Sequence, residues 1–511
     1  MRQVGARFSS LMLITLILGG TAAKGTGSDI SRPQFLAAPI DQEKIAAANR
    51  VSWGINSSAL NANQREEPSA TEADRMLPAA AADQIASMRI AHEPMAQLVV
   101  KMNAQKKAAN ALTDPAQKQA ALKAYQQAMA DLAREAATRS ILRDLYSPAQ
   151  LREQMTWFWF NHFNVRAAKR DIRAMVGDYE DRIRGLALGR FRDLLEATLR
   201  HPAMLRYLDN DQNAVGHINE NYAREIIELH SMGVGAGYTQ KDVQELARIL
   251  TGVGVSLNPA PPKLKRELQP LLIRDGLFEF NPNRHDFGSK RFLDHTIKGS
   301  GFDEVEQALD LIAAAPATAH HVSGQIATYF MGDNVPPALV DRMTAVWRRS
   351  DGDIPTVLRA LFQSQEYRSS LGQAFKDPVH YVISAVRYAY DGRVILNADP
   401  IINWLNLLGE GLYNHETPDG YPMAASAWTG PGQMETRFVI ARAIGNGAAG
   451  LFRPRGAGAT GRPALPQLQN ALYYNGLTKT LSPATRTVLD QANNQQQWNV
   501  LFLASPEFMR R

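Results

Sequence analysis

The sequence contains no cysteine at any of its 511 positions. Disulfide bridges, thiolate metal sites and cysteine nucleophiles are therefore excluded. Several catalytic motifs are absent as well: there is no Gly-x-Ser-x-Gly elbow, no phosphate loop ending in Gly-Lys-Ser/Thr and no His-Glu-x-x-His zinc motif. These absences leave no ready-made catalytic assignment, so function has to be inferred from individual clusters of polar residues.

An excess of one charge is also lacking. The chain has 56 basic and 50 acidic residues, a formal net charge of +6. Removal of residues 1–23 takes away Arg2 and Arg7 and leaves 54 basic against 50 acidic residues, or +4. This balance is too small to indicate a nucleic-acid partner, and none is expected. No run of about 18 apolar residues follows the N-terminus, so no transmembrane span is expected in the mature chain.

The N-terminus has the three parts of a secretory signal in the correct order. Arg2 and Arg7 form a basic region, Leu11 to Leu18 is a short apolar stretch, and small residues up to Ala23 supply a cleavage site. A buried N-terminal helix or a retained anchor is the alternative interpretation. We therefore predict a signal peptide at residues 1–23 and a periplasmic or secreted protein.

The rest of the chain is predicted to be mainly α-helical. Residues 24–82 are polar and contain several turn formers, which predicts an irregular N-terminal arm. Residues 83–511 are predicted to form one large helical body, because helix formers and helix-capping signals recur along them. The exceptions are a small β-hairpin or meander insertion at about 271–295, centred on the turn Asp275-Gly276, and a flexible Gly-rich loop at about 445–463.

The most unusual stretch is an aromatic run at residues 157–164, where five of eight side chains are aromatic. Such a run has to be buried, and it takes the polar side chains of Asn161, His162 and Asn164 into the core with it. A buried polar group without a partner costs about 1–3 kcal/mol, so these three need hydrogen bonds. His162 is therefore either a core histidine bonded to backbone or a metal ligand or base that faces a substrate.

A second polar cluster occupies a predicted helix between His217 and Ser231. Arg224 lies one helical turn from acidic residues on both sides, which favours a ladder of ion pairs. Asn221, Glu225 and Glu228 lie on a neighbouring stripe, where two inward carboxylates would suit a divalent cation. The ion-pair ladder and the cation site remain alternatives at this point.

A third cluster, His285 and Asp286, follows the predicted hairpin. It is either a turn stabilised by the aspartate or part of a catalytic or metal site. If the three clusters met in one pocket, they would supply the ligands of a divalent metal. That hypothetical ligand set is His162, Glu225, Glu228, His230, His285 and Asp286.

Several motifs together resemble the DUF1800 family of bacterial proteins, a family without an established activity. They are, in chain order, Met155 to Asn164, Ala187 to Leu195, His201 to Leu205, Asn219 to Gly233, Gly237 to Val243, His285 to Lys290, and Ala504 to Met509. The family pattern has Gly-Trp before a proline in the C-terminal loop, whereas this sequence has Tyr421 before Pro422. The resemblance implies an exported helical protein and a DUF1501-like protein partner, and it supplies no catalytic residues.

Two functional hypotheses follow. The first is an exported helical protein that binds a protein partner or a component of the cell envelope, with Asn161, His162, Asn164, Asn221 and Arg224 as its candidate polar site. The alternative is a metal-dependent hydrolase that acts outside the cytoplasm. The second hypothesis requires the six predicted ligands to converge within a few ångströms.

Overall fold

The computed structural model describes residues 40–56, 67–456 and 464–511. The predicted signal segment lies outside this part of the chain. The expected irregular arm, residues 24–82, differs from the structure, because its described residues contain helices. These are α1 (Gln42–Val51), α2 (Ala70–Arg75) and the first part of α3 (Ala79–Ala86). Asp41 and Ser69, which favour turns, cap the first two helices here, so the polar residues begin helices rather than a loop.

The short helix α4 (Arg89–His92) is followed by a long helical hairpin, which belongs to the predicted helical body. The hairpin consists of α5 (Met95–Ala111) and α6 (Pro115–Tyr146). Asp114 accepts a hydrogen bond from the Gln117 N–H (2.8 Å) and Pro115 occupies the first turn, which fixes the start of α6. Helices α5 and α6 pack against each other.

The aromatic run lies on α7 in the core. The helices of this region are α7 (Gln150–His162), α8 (Val176–Leu186), α9 (Phe191–Leu199), α10 (Pro202–Tyr207), α11 (Asn221–Glu228) and α12 (Gln240–Ile249). Trp159, Phe160 and Phe163 are fully buried. The Trp159 indole N–H donates to the Ala187 carbonyl oxygen (3.0 Å), so even the polar atom of this ring has a partner.

The β structure forms two small antiparallel sheets. The strands are β1 (Val253–Val255), β2 (Ile273–Asp275), β3 (Phe278–Phe280), β4 (Lys290–Phe292) and β5 (His295–Ile297). The predicted hairpin around Asp275-Gly276 is β2–β3, and β1 completes this sheet in the order β1-β3-β2. Val253 and Ile273 both pair with Phe280. Strands β4 and β5 pair separately, so the end of the predicted insertion forms a second sheet.

Helices make up the remainder of the chain. They are α13 (Phe302–Ala314), α14 (Pro316–Met331), α15 (Pro337–Ser350), α16 (Ile354–Phe362), α17 (Gln365–Ser370), α18 (Pro378–Ala389), α19 (Asp399–Leu407), α20 (Pro431–Gly445), α21 (Ala471–Asn475), α22 (Pro483–Asp490) and α23 (Gln495–Leu503). Helix α18 is almost wholly buried and contacts α6, α19 and α20. In the predicted loop 445–463, residues 446–456 lack regular structure, and residues 457–463 lie outside the described part.

One continuous apolar core joins the helices from α1 to α23. The fold is therefore mainly α with a small β insertion, as the sequence predicts. No helix within the described ranges is both long enough and apolar enough to span a bilayer.

Candidate functional site

The two asparagines of the aromatic run hold the loop between α19 and α20. Asn161 donates through Nδ2 to the Tyr421 carbonyl oxygen (2.9 Å) and accepts at Oδ1 from the Tyr421 N–H (2.7 Å). Asn164 donates to the carbonyl oxygens of Thr417 (2.8 Å) and His415 (3.3 Å). Both amides therefore replace backbone hydrogen bonds that this irregular loop cannot make with itself.

Tyr421, which stands where the family pattern has tryptophan, belongs to the same arrangement. Its ring lies near that of Trp157, with centroids 6.4 Å apart and planes 24° apart. Its hydroxyl donates to the Gly411 carbonyl oxygen (2.8 Å). The smaller ring thus packs on the aromatic helix and closes the loop on itself.

Replacing Gly420 with Ala is expected to destabilise the protein by about 2–5 kcal/mol. An ideal Cβ at Gly420 would lie 2.2 Å from the Asn161 carbonyl oxygen, and its φ is +73°. The left-handed backbone costs a non-glycine residue roughly 1–2 kcal/mol, and overpacking adds about 1–3. Thermal and chemical unfolding of the variant give the loss directly.

The matched control is Gly432→Ala, in the first turn of α20. A Cβ there has no neighbour within 4 Å. Alanine in a helix is favoured over glycine by about 0.5–1 kcal/mol, so this variant should be neutral or slightly more stable. Equal stability of the two variants would show that the close contact between Gly420 and Asn161 does not contribute to the stability of the fold.

His162 is a core histidine bonded to backbone, one of the two predicted alternatives. Its Nε2 donates to the His230 carbonyl oxygen (2.9 Å), and its Nδ1 lies 2.7 Å from Gln325 Oε1. Burial lowers the pKa of His162 to about 4, so the ring is neutral at physiological pH. The ring of His230 lies 6.1 Å away, and burial lowers its pKa well below the ordinary value.

The second cluster forms the predicted ladder of ion pairs on α11. Arg224 contacts Glu228 (3.2 Å) and Glu220 (3.3 Å), each one turn away. Asn221 donates to the Leu208 carbonyl oxygen (3.1 Å), which ties the start of α11 to the end of α10. Burial and the nearby Glu228 carboxylate raise the pKa of Glu225.

The structure does not bring the six predicted metal ligands together. Among residues 40–56, 67–456 and 464–511, no group of three or more His, Asp or Glu side chains is placed to hold a metal ion. Asp286 pairs with Arg248 (2.8 Å), whereas His285 pairs with a different residue, Glu304 (2.8 Å). His162, His285 and Asp286 are instead bonded to groups on other elements, namely the His230 carbonyl oxygen, Glu304 and Arg248, and Glu228 pairs with Arg224 on its own helix. The single pocket that the metal-hydrolase hypothesis requires is not formed by these residues.

His285 belongs to a fully buried charged cluster that the sequence did not indicate. Glu304 Oε1 accepts from His285 Nε2 (2.8 Å), and Oε2 pairs with Lys290 Nζ (2.5 Å). The same carboxylate accepts from the N–H groups of Ser300 (2.8 Å) and Gly301 (3.1 Å) at the start of α13. Burial raises the pKa of Glu304, but the hydrogen bonds from His285 and Lys290 outweigh it and hold the pKa below its ordinary value. The Glu304 carboxylate thus accepts four hydrogen bonds from neighbouring groups, which indicates a structural role.

The described residues contain a cleft of about 350 Å³ elsewhere, between α1, α18, α23 and the end of the sequence. Its apolar lining residues are Ile45, Ala46, Ile55, Tyr388, Leu477, Leu481, Phe502, Pro506 and Phe508. Its polar lining residues are Asn49, Lys376, Ser384, Thr480, Glu507 and Arg510. The volume is that of about a dozen liquid waters and falls within the range of small-molecule sites.

Lys376 is the most unusual group of this cleft. Its Nζ donates to Ser384 Oγ (3.0 Å) and lies 4.2 Å from the centroid of the Phe508 ring. Only 3% of the residue is exposed. Burial, together with the positive charges of Arg511 and Arg437, lowers its pKa from 10.5 to about 7, and Asp377 opposes this only in part. Among the ion pairs of the described residues, none includes Lys376, so this buried ammonium has no carboxylate within 4.0 Å.

Backbone pairing places Lys376. The segment 374–376 pairs with the segment 509–511 through bonds from the Lys376 N–H to the Met509 carbonyl oxygen (2.8 Å) and from the Arg511 N–H to the Ala374 carbonyl oxygen (2.8 Å). Asp377 then caps α18, whose second turn carries Ser384 into the cleft wall. Lys376 and Ser384 are therefore positioned by rigid backbone on both sides.

Gly54 brings the chain after α1 onto the same serine. A Cβ at Gly54 would lie 2.4 Å from Ser384 Cβ, and its φ is +113°, so only glycine fits. The Gly54 carbonyl oxygen accepts from Arg387 Nε (3.1 Å). This close approach places Ile55 in the cleft wall beside Ser384.

A second, smaller cavity lies against the aromatic helix. It is lined by Trp157, Tyr421, Trp428, Asp377 and Glu410, among others, but its volume is only about 30 Å³. That is room for about one water. Burial raises the pKa of Glu410 well above its ordinary value, as expected for a carboxyl closed off from solvent. The cavity is too small to be a ligand site in this conformation.

Neither Lys376 nor Ser384 was among the sequence candidates. The only signal was Asp377-Pro378, which marks the start of a helix and says nothing about the lysine before it. A single lysine is most often exposed, and its burial here depends on residues at the far end of the sequence.

Residues 46–510, nearly the whole chain, match the DUF1800 family, described as a protein of unknown function. The chain belongs to this family, which confirms the resemblance seen in the motifs. No curated protein and no solved structure shows a significant match.

Proposed function

We propose that this chain is an exported protein that binds an amphipathic component of the cell envelope in the cleft around Lys376. The ligand would be an acyl chain with one carboxylate end. The observation that carries the proposal is a buried ammonium that has no ion-pair partner among the described residues, in a cleft whose walls are largely apolar. A desolvated charge is unfavourable without a counter-charge, so a bound carboxylate would complete the site.

The other groups of the cleft fit such a ligand. The side chains of Phe502, Phe508 and Leu481 offer apolar surface for a hydrocarbon chain. Arg511 and Arg437 lower the pKa of Lys376 by more than Asp377 raises it, and a bound anion would balance these positive charges. The volume of the cleft limits the acyl chain of the ligand to a medium length.

Binding of decanoate tests the proposal. Full-length protein, expressed with its own N-terminus and purified, is titrated with decanoate at pH 6.5 by calorimetry. Lys376→Met should weaken binding by roughly 10- to 100-fold, because a hydrogen bond to a charged group contributes about 1.5–3 kcal/mol. The alcohol 1-decanol, which lacks the charge, should bind both proteins alike.

The matched control is Lys479→Met, which removes an exposed lysine close to the cleft without touching its lining. This variant should bind decanoate as the unmodified protein does. Equal affinity of the Lys376→Met and unmodified proteins would contradict the proposal, as would a lack of decanoate binding to all of them.

Export and a DUF1501-like partner remain predictions. The same purified protein tests the first, because processing at the predicted site would leave Lys24 as its first residue. The predicted export favours a cell-envelope ligand, since an exported protein meets lipids and their hydrolysis products in the cell envelope.

A further inference from the structure

Ser384 and Lys376 have the mutual geometry of a nucleophile and its base. Ser384 Oγ lies 3.0 Å from Lys376 Nζ, within hydrogen-bond reach, and both residues line the cleft. Ser384 is on α18, and its hydroxyl donates to the Tyr381 carbonyl oxygen (3.0 Å) one turn earlier, a common bond for serine in a helix. When Nζ is a free amine, rotation of the hydroxyl about its Cβ–Oγ bond turns the proton toward Nζ instead.

We propose that Ser384 is an acyl-accepting nucleophile and Lys376 its general base, and that the cleft hydrolyses a carboxylic ester whose acyl chain it binds. This inference rests on the proposed function, because the acyl chain occupies the same apolar walls. The carboxylate ligand described above is then the reaction product. The substrate class is an ester of a medium-chain fatty acid.

The reaction has two balanced steps. Ser384 Oγ attacks the ester carbonyl carbon while Lys376 Nζ accepts the hydroxyl proton; the bond from that carbon to the alkoxy oxygen breaks, and the departing alcohol takes the proton from Nζ. Water then attacks the acyl-serine carbonyl carbon, the bond from that carbon to Ser384 Oγ breaks, the proton of the water passes through Nζ to Oγ, and the free fatty acid leaves. The sum is ester plus water to acid plus alcohol.

A lysine acts as a base only if its amine is neutral in a useful share of molecules at working pH. Burial, Arg511 and Arg437 lower the pKa of Lys376 to about 7, against a smaller opposing effect of Asp377. The other charged groups of the cleft are Glu507 and Arg510. The surroundings therefore favour the free amine, which agrees with the geometry.

A buried lysine with a purely structural role is expected to pair with a carboxylate. Lys290, the other deeply buried lysine among the described residues, pairs directly with the Glu304 carboxylate (2.5 Å). Lys376 instead donates to a serine hydroxyl beside an accessible volume. This difference in partner is what separates the two lysines.

Hydrolysis and covalent labelling test the dyad on the full-length protein. The protein is incubated with p-nitrophenyl decanoate and, separately, with a decyl fluorophosphonate, followed by mass spectrometry of the peptides. The label is expected on Ser384, and the hydrolysis rate is expected to rise with pH around a midpoint near 7. Ser384→Ala should abolish labelling at this peptide, and Lys376→Met should slow both reactions by about 10²- to 10⁴-fold.

Ser323→Ala is the control, since it removes another buried serine that is not part of the cleft lining. This variant should keep full rates. Ser384→Ala should still bind decanoate, which separates loss of chemistry from loss of folding or binding.

Decanoate binding without labelling or hydrolysis would overturn the dyad and leave the binding function intact. Absence of both binding and labelling would overturn the cleft assignment itself. Labelling of Ser384 at an unchanged rate in Lys376→Met would remove the lysine from the mechanism.

Discussion

Lys290→Met is expected to lower the free energy of unfolding by about 3–5 kcal/mol. Lys290 is 1% exposed and Glu304 is 0% exposed, and their charged atoms lie 2.5 Å apart. Removing one member of a buried ion pair leaves the other charge without compensation, which is the origin of a loss of this size. Lys290 also donates to the Asp286 carbonyl oxygen, so a backbone acceptor loses its partner as well.

Denaturant unfolding monitored by circular dichroism measures the loss, with Lys298→Met as the control. Lys298 follows β5 in the same small sheet region but is exposed, so its replacement should change the stability by less than about 0.5 kcal/mol. A loss below about 1 kcal/mol for Lys290→Met would mean that Glu304 is compensated by His285 and the α13 N–H groups alone.

Local signals in the sequence predicted much of the fold. Asp114-Pro115 marks the break of the helical hairpin, and Asp275-Gly276 marks the turn of β2–β3, because each pair has a fixed conformational preference. Strand β1 escaped prediction, since three residues are too few for an alternating pattern and its partner Phe280 is distant in sequence. Helix α6 continues to Tyr146, so Ser147 follows its end and does not cap α7.

The candidate site was much less predictable, for a physical reason. The polar residues that stood out, such as His162 and Asn161, are conspicuous because they lie in an aromatic run. Each forms a hydrogen bond with a backbone carbonyl oxygen in the core, which explains its presence there. Lys376 stands in unremarkable sequence and acquires its unusual environment only when the segment 509–511 pairs with the segment 374–376. Contacts over such a separation leave no periodic trace in a single sequence.

Lys376→Met is expected to have the opposite sign from Lys290→Met and to stabilise the protein by about 3–4 kcal/mol at pH 7. Burial and like charges lower the pKa of Lys376 from 10.5 to about 7. Since a tenfold change in proton affinity corresponds to about 1.4 kcal/mol, the buried ammonium costs roughly 4–5 kcal/mol. Loss of the hydrogen bond to Ser384 offsets about 1 kcal/mol of the gain.

The pH dependence separates this effect from ordinary repacking. Between pH 7 and 10.5 the unfolded chain keeps the lysine proton while the folded chain has released it, so the unfolding free energy of the unmodified protein rises with pH across this window. Lys376→Met removes that rise, and its advantage should therefore be largest at pH 7 or below and disappear near pH 10.5. Unfolding curves at pH 6.5, 8 and 9.5 measure the difference.

A variant that is less stable than the parent at pH 6.5 would show that the ammonium is compensated within the fold, which would leave no reason for a bound carboxylate. A stable variant that has lost decanoate binding would mean that the lysine is maintained at the expense of stability, as is common where a group serves a ligand or a reaction rather than the fold.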